Sequence, residues 1–150
     1  MYISVQPEDF DIADVMNQLC AKRKDIGAVV TFSGLVRDQS STQNLITLEL
    51  EHYPGMTEKA LESIAQKAMQ KWDIQDLAII HRVGKLKPAE NIVLVITISA
   101  HRKDAFDACS FLMDYLKTQA PFWKKETTVD GESWVASRKS DELAAKSWDE

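Results

Sequence analysis

A group of basic side chains around one aromatic segment could carry out acid–base or nucleophilic chemistry. Lys117, Lys124 and Lys125 lie on either side of a Pro-Phe-Trp sequence at 121–123. Lysines held beside aromatic rings lose water and feel each other's positive charge, and both effects lower the pKa of an ammonium group. A solvated basic loop beside a core tryptophan is the alternative, because structural ion pairs also perturb pKa values.

Two further basic residues, His101 and Arg102, follow an apolar run at 92–99 and begin the next predicted helix. The free N–H groups of a helix start attract anions. Basic side chains in this place oppose the helix dipole. The pattern is therefore as consistent with a bound anion nearby as with an exposed helix start.

Two arginines extend this set. Arg37 ends a β-rich run and borders a polar stretch at 38–44, which we interpret as a mobile loop. A guanidinium there could clamp phosphate or carboxylate with paired donors, although a solvated strand end is the commoner explanation. Arg138 adds a cation near the lysines, where carboxylates such as Glu126 and Glu132 could equally form local ion pairs. His81-Arg82 also ends a predicted strand, and a surface turn explains that pair adequately.

Length, composition and charge exclude several classes of protein. The chain has 150 residues, of which 45% are hydrophobic and 27% charged, as expected for one globular domain spanning 1–150. The net charge of −5 argues against nucleic-acid binding, which needs a basic face. No apolar run reaches membrane-spanning length and the N-terminus does not resemble a signal peptide, so we expect a cytoplasmic protein without a membrane partner.

Cysteine and histidine spacing predicts neither a disulfide nor a metal site. Cys20 and Cys109 each lie in an apolar, helix-like pattern and are expected to be buried thiols. The three histidines are far apart in sequence, so no metal site and no cofactor are predicted. The sequence also lacks a glycine-rich phosphate loop, a dinucleotide fingerprint and a serine nucleophile elbow.

Apolar periodicity predicts the element order β-α-β-β-α-β-β-α-β-β. Consecutive strand pairs between helices indicate the α+β class, with a mixed or antiparallel sheet and helices packed on one face. The strands are expected at 2–5, 26–36, 45–53, 77–83, 92–99, 125–129 and 133–136, and the three helices at 7–24, 57–72 and 101–118. The alternation at 45–53 predicts a half-buried strand, and the continuous apolar run at 92–99 predicts a central strand covered on both faces. After these elements, the tail at 141–150 is expected to form a short helix with Trp148 as its only large apolar anchor.

Several details of these elements can be compared with a structure. Asp9 or Asp11 is expected to cap the first helix and Thr57 the second, because their side chains accept hydrogen bonds from free N–H groups. The Asp-Gly pair at 130–131 predicts a tight hairpin turn. The buried face of the third helix is expected to contain Phe106, Cys109, Met113 and Leu116.

Several stretches, in a fixed order, resemble the large, catalytic subunit of molybdopterin synthase. The most specific is 114–126 joined to the Ser-Ala-His-Arg helix start at 99–102, and together the stretches span roughly residues 25 to 138. The matching stretches are 27–37, 48–56, 81–84, 99–102, 114–126 and the Trp-Val pair at 134–135.

The resemblance implies a fold, an activity and partners. The fold is an α/β hammerhead-type domain with an additional small antiparallel sheet. The enzyme is a sulfurtransferase of molybdenum cofactor biosynthesis, a heterotetramer with a central dimer of large subunits and a small ubiquitin-like subunit at each end. The small subunit's C-terminal Gly-Gly carries a thiocarboxylate that enters a pocket of the large subunit. Two sulfur transfers then convert cyclic pyranopterin monophosphate into the molybdopterin dithiolene.

The resemblance also assigns roles to the basic residues. Lys117 and Lys124 match the family's catalytic lysines. An arginine that reaches the pocket, which could come from the other large subunit, corresponds to Arg138. The residues that match the family's anion pocket are Arg37, His101 and Arg102.

Other functions remain compatible with the same residues. A basic pocket could hold a phosphopterin or nucleotide without any chemistry. Lys117 could instead act as a true nucleophile that forms an isopeptide with a partner's tail. A structural dimer without an active site would tolerate substitution of the basic residues.

Overall fold

A computed structural model describes residues 1–38, 44–135 and 139–149, without the side chains of residues 139 and 140. Its two sheets and packed helices confirm the α+β class and the additional small sheet. The helices are α1 (Ile12–Cys20), α2 (Met56–Lys71), α3 (Arg102–Thr118) and α4 (Lys139–Ser147). The strands are β1 (Tyr2–Gln6), β2 (Ala28–Leu35), β3 (Thr47–His52), β4 (Asp76–Arg82), β5 (Gly84–Leu86), β6 (Asn91–Ser99), β7 (Phe122–Thr128) and β8 (Gly131–Val135).

The larger sheet has the strand order β1-β4-β6-β2, in which β1 is parallel to β4 and the other pairs are antiparallel. Strand β6 lies in its centre and is buried on both faces, as its continuous apolar run predicts. Alternate residues of β4 separate two cores: Leu77 and Ile79 pack with α2 and α3, whereas Ala78 and Ile80 pack with α1. The expected one-sided packing therefore describes α2 and α3, while α1 covers the opposite face.

The smaller sheet is antiparallel, with the order β5-β3-β7-β8. Leu48 and Leu50 of β3 are buried, in agreement with the predicted alternation. Strand β5 was not predicted, because it has only three residues and begins with Gly84, whose φ is 90°, so that it looks like a turn in sequence. Leu86 nevertheless pairs with Leu48 and completes a small core. The turn at 130–131 is confirmed, with φ of 118° at Gly131.

The start of α2 differs from the prediction. Gly55, and not Thr57, is the N-cap, and its N–H donates to the Glu58 carboxylate at 2.6 Å. Thr57 is fully buried. Its hydroxyl donates to the Pro121 carbonyl at 3.1 Å and accepts the Tyr53 N–H at 3.0 Å. Thr57 therefore ties the start of α2 to the segment that leads into β7.

The face that α3 buries is also rotated from the predicted one. Phe106 is 59% exposed, so its placement in the core is wrong. Small residues lie against the sheet instead, and the Thr97 hydroxyl on β6 donates to the Ala105 carbonyl at 2.7 Å. Alanines permit this close approach because they have little bulk. The buried residues of α3 are Ala105, Ala108, Cys109, Leu112 and Leu116.

The remaining helix ends follow local sequence signals. Asp11 caps α1, as one of the two predicted residues, by accepting the Asp14 N–H at 3.0 Å. Helix α1 is shorter than expected at both ends, and α3 ends at Thr118, shortly before Pro121. Across the described ranges, none of the helices combines the length and apolar character needed to cross a membrane.

The last helix is anchored by one tryptophan, as the sequence predicts. The Trp148 ring makes edge contacts with Trp72 and Phe111, with ring centroids 5.5 and 5.9 Å apart. Its indole N–H donates to the Asp114 carboxylate at 2.6 Å. The Lys71 ammonium donates to the Trp148 carbonyl at 3.0 Å, so α2 and α3 both hold the C-terminal segment.

One aromatic contact joins the two sheets. His81 of β4 stacks on Phe122 of β7, with ring centroids 3.9 Å apart and planes 18° from parallel. The His81 Nδ1 atom lies 2.9 Å from the Arg82 carbonyl oxygen. Because a carbonyl can only accept a hydrogen bond, we assign the proton of the neutral ring to Nδ1.

His81 is 6% exposed, and its surroundings favour the neutral ring. Its pKa is lowered to about 4, mainly by burial. The hydrogen bond to the Arg82 carbonyl opposes this shift, and the positive charges of Lys124, Lys117 and His52 add to it. The contact between the sheets therefore forms between two uncharged rings at neutral pH.

We expect acidification to destabilise the parent protein more than a His81→Phe variant. The folded pKa of about 4 lies below the ordinary value of 6.5, so between these values the unfolded chain binds more protons and stability falls as pH drops. The difference should reach about 2 kcal/mol between pH 7 and pH 5. Urea unfolding at both pH values measures it, and an identical pH dependence in parent and variant would contradict the argument.

Candidate active site

A cavity of about 500 Å³ lies where the two sheets meet the C-terminal end of α3. Apolar residues from the end of β2 and from α3 form part of its wall, among them Phe32 and Met113. Basic side chains from three separate segments of the chain also line the cavity. These are Arg37, Lys117 and Lys124.

Local structure explains how each of these basic residues is placed. Arg37 follows Val36, whose backbone bonds to Ala89 and Glu90 at 2.8 and 2.9 Å fix the end of β2. Lys117 lies in the last turn of α3, where a cation is favoured by the helix dipole. Lys124 is two residues after Phe122 on β7, so both side chains emerge on the same face of the strand.

Lys125 belongs to a different surface. It projects from the opposite face of β7, where its ammonium lies 3.3 Å from Glu49, 3.6 Å from Glu132 and 5.6 Å above the Trp134 ring. The hydrogen bond to Glu49 is the main cause that raises the pKa of Lys125. The ion-pair interpretation of the basic cluster is therefore correct for Lys125.

The cavity wall is positive overall when all groups are ionised. Three basic residues line it, against two carboxylates, Glu126 and Asp141. Within the part of the chain that the structure describes, no carboxylate lies within 4.0 Å of the charged groups of Arg37 or Lys117. An anionic ligand would supply a countercharge at these two positions.

Two other predicted site residues that the structure describes, His101 and Arg102, do not line this cavity. His101 and Arg102 are exposed at the start of α3, whereas Lys117 is in its last turn. At 1.5 Å per residue, Arg102 lies roughly 22 Å along the helix from Lys117. Within one chain, the basic residues thus form two separate groups. Arg138 and residues 39–43 of the polar stretch lie outside the described residues, and their roles remain predictions.

His81 also lines the cavity, and the sequence interpretation missed it. The prediction that this pair lies on a surface turn is wrong, because both His81 and Arg82 are buried. Arg82 donates to the carbonyl groups of Pro7 and Asn91, which satisfies its guanidinium without an acidic partner. The apolar Val83, which follows the pair after the apolar run at 77–80, was the available signal that β4 remains buried to its end.

Neither cysteine of the chain lines the cavity. Both are free. Cys109 is buried as expected, and burial raises the pKa of its thiol to about 11, whereas Cys20 is only partly buried. Cys20, the last residue of α1, packs on the other face of the larger sheet. No cluster of three His, Cys, Asp or Glu side chains suited to a metal ion occurs within residues 1–38, 44–135 and 139–149. The cavity therefore offers lysine and arginine chemistry rather than thiol chemistry.

Comparisons with known proteins agree with the resemblance noted in the sequence. The family described as MoaE protein matches residues 5–119. A molybdopterin synthase catalytic subunit from Pseudomonas aeruginosa is 54% identical over 150 residues, covering all of both chains. The solved structure of a MoaE protein from Burkholderia ambifaria has a TM-score of 0.84 at 52% identity, covering 99% of this chain and 98% of the other.

A more distant solved structure, molybdopterin synthase from Staphylococcus aureus, has a TM-score of 0.80 at 32% identity and covers 88% of this chain and 95% of the other. The fold, the chain length and the sequence of this protein thus agree with those of one family, for relatives of both higher and lower sequence identity. The chain belongs to the MoaE family, the family of molybdopterin synthase catalytic subunits.

Proposed function

We propose that the cavity is the site at which this catalytic subunit transfers sulfur from the thiocarboxylated C-terminus of a small ubiquitin-like subunit to cyclic pyranopterin monophosphate. The observation that carries the proposal is that Arg37, Lys117 and Lys124, which are distant in sequence, line one cavity in a member of this family. The product is the dithiolene of molybdopterin. Because the cavity lies between the two sheets, we treat residues 1–150 as one functional domain.

The source of sulfur follows from the cysteines. A sulfurtransferase that carries sulfur itself needs a reactive thiolate at its site. Here Cys109 is buried with a raised pKa, and Cys20 lies away from the cavity. The sulfur must therefore arrive on another molecule, which fits a partner whose tail ends in a thiocarboxylate. The relatives' description as catalytic subunits is consistent with a second, sulfur-carrying subunit.

The three basic residues suit the two anions that this reaction brings together. Arg37 offers paired donors to the phosphate of the pterin. Lys117 and Lys124 can hold the thiocarboxylate and exchange protons as carbon–sulfur bonds form and the phosphate ring opens. Fixed cations placed where charge develops often accelerate a reaction more than any other single effect in an active site. The apolar residues on the cavity wall lower the local dielectric constant and thereby strengthen these interactions.

The position of His101 and Arg102 supports a role in trans, across a dimer of large subunits. Strand β2 is an edge of the larger sheet, and only β6 pairs with it among the described strands. Its apolar side chains Val29, Phe32 and Leu35 are 36%, 39% and 51% exposed. An exposed apolar edge strand is a template for pairing with another chain, and two-fold dimers are the commonest homo-oligomers.

Antiparallel pairing of two β2 strands about their midpoint would align the start of each strand with the end of the other. The start of β2 lies beside the segment that leads to α3: Gly27 donates to the Ser99 carbonyl at 3.1 Å. A Cβ on Gly27 would come within 2.0 Å of the Ala100 carbonyl oxygen, so glycine permits this approach. The end of β2 borders the cavity.

Such a dimer would bring the partner's His101 and the partner's Arg102 toward the cavity of the first chain. The two basic groups that are separate within one chain would then act on the same anions. Arg138 stays an expected contributor from the resemblance. The cytoplasmic location also stays a prediction.

A binding module that holds phosphopterin without chemistry is the alternative function. Membership of the MoaE family favours the enzyme. Nucleophilic attack by Lys117 would leave an isopeptide between the two subunits, detectable by mass spectrometry during turnover. The sulfur-transfer proposal requires that this adduct be absent.

We expect Lys117→Ala and Lys124→Ala each to reduce product formation by about 10²–10³-fold, because each removes one fixed cation from the reacting anions. The assay mixes the protein with thiocarboxylated small subunit and cyclic pyranopterin monophosphate and measures the oxidised, fluorescent dithiolene product. Lys125→Ala is the matched control, since Lys125 lies on the opposite face of β7. Normal turnover in the Lys117 and Lys124 variants would exclude catalysis by this cavity.

We expect Val29→Lys to weaken the dimer, because it places a charge on the exposed apolar edge of β2. Light scattering across a dilution series measures the fraction of monomer. Val129→Lys is the control, as Val129 is 80% exposed on the β7–β8 turn, away from this edge. Equal dimer stability in both variants would argue against pairing through β2.

Mixed dimers test the role in trans directly. When Lys117→Ala and Arg102→Ala chains are coexpressed, about half of the dimers contain one chain of each kind. In a mixed dimer one cavity carries both changes and the other carries neither, so about one quarter of the parent activity should return. If Arg102 served the cavity of its own chain, every cavity would carry one change and activity would stay low.

A further inference from the structure

We propose that His81 is a positioning residue that holds Lys124 in its working place through the ring of Phe122. The inference rests on the proposed role of Lys124 in sulfur transfer. His81 belongs to the larger sheet, whereas the other two residues belong to the smaller one. All three line the cavity.

The start of β7 has less support from neighbouring strands than the rest of β7. Phe122 and Trp123 begin the strand and pair with β3, whereas pairing with β8 begins only at Lys124 in the described residues. The start of β7 thus has a strand on one side. The stacked ring of His81, with centroids 3.9 Å apart, supports the strand from the larger sheet at this point.

The direction of the Lys124 side chain depends on the orientation of the Phe122 ring. Because side chains alternate across a strand, Phe122 and Lys124 leave β7 on the same face. The orientation of the Phe122 ring therefore fixes the tilt of the strand and the direction in which the Lys124 side chain starts. A displacement of about 1 Å at a reacting group can cost about 100-fold in rate.

His81 is a rigid support for the Phe122 ring. His81 lies on β4, in register with Val5 of β1 on one side and Val93 of β6 on the other. Its Nδ1–H donates to the Arg82 carbonyl at 2.9 Å, which fixes the plane of the ring. The residue is almost fully buried, so it has little freedom to move.

The neutral charge of His81 also suits its position near Lys117 and Lys124. A neutral ring can support Phe122 without adding another cation next to the two lysines, and burial keeps the His81 imidazole neutral. A lysine or arginine in this place would repel them. The titratable groups that act on the ring are Lys124, Lys117 and His52, with Glu126 and Asp141 on the same cavity wall.

Two substitutions separate the aromatic face from the hydrogen bond. His81→Asn keeps a donor near the position of Nδ1 and removes the ring, whereas His81→Phe keeps the ring and removes the donor. We expect His81→Asn to lower kcat by about 10- to 100-fold with little change in KM for the pterin. His81→Phe should remain within about threefold of the parent kcat, because the stack persists.

A double-substitution cycle with Lys124→Ala tests whether His81 acts through the lysine. Single-turnover rates are measured for the parent, for His81→Asn, for Lys124→Ala and for the combination, each as the dimer with thiocarboxylated small subunit. If the lysine is the target, His81→Asn should have no further effect once Lys124 is removed. A general loss of structure would instead reduce both backgrounds by the same factor and overturn the inference.

Phe122→Leu provides the same test from the other ring, should His81→Asn fold poorly. It should lower kcat as His81→Asn does, and again show no further effect in the Lys124→Ala background. Parent-like kcat in a folded Phe122→Leu or His81→Asn dimer would overturn the positioning role alone. Parent-like kcat in Lys124→Ala would overturn the proposed function of Lys124 together with this inference.

Discussion

The site depends on the junction between the two sheets. Lys124 is carried by the smaller sheet, whereas Lys117 is carried by a helix that packs on the larger one. Their side chains can share a cavity only if the sheets keep a fixed relation. Among the described residues, the contacts that maintain it include the ring stack of His81 on Phe122 and the hydrogen bond from the Thr57 hydroxyl to the Pro121 carbonyl. Both lie at the start of β7, directly before the lysine.

Concentrating positive charge in one cavity is unfavourable, and the fold reduces the cost in several ways. Lys117 benefits from the C-terminal end of the α3 dipole. Glu126 and Asp141 on the cavity wall offset part of the charge, and the neighbouring Lys125 is compensated by its own carboxylates on the other face of β7. His81 stays neutral beneath the lysines. The remaining positive potential is available to two anionic reactants.

The separation of His101 and Arg102 from this cavity has a simple physical origin. A helix of 17 residues is about 25 Å long, so groups at its two ends cannot meet around one small ligand. The apolar edge of β2 runs antiparallel to β6 and connects the surroundings of both groups. A two-fold axis across that edge is an economical way to unite them, and it would make the dimer a requirement of catalysis rather than of stability.

The sequence by itself determined the α+β class, the central strand β6, the hairpin at 130–131, the Trp148 anchor and the family. These features depend on local periodicity, on turn residues and on ordered motifs, which can be read along the chain. Strand β5 was missed because its three residues carry no periodic signal, and Phe106 was misplaced because a helix with several apolar positions can bury more than one face. The basic residues were recognised and assigned to one pocket, but their division into two groups within one chain was not foreseen. Only the tertiary structure decided that Arg37, Lys117 and Lys124 share a cavity with a buried His81 while Arg102 does not, because strand pairing and the length of α3 set those distances and no spacing in the sequence encodes them.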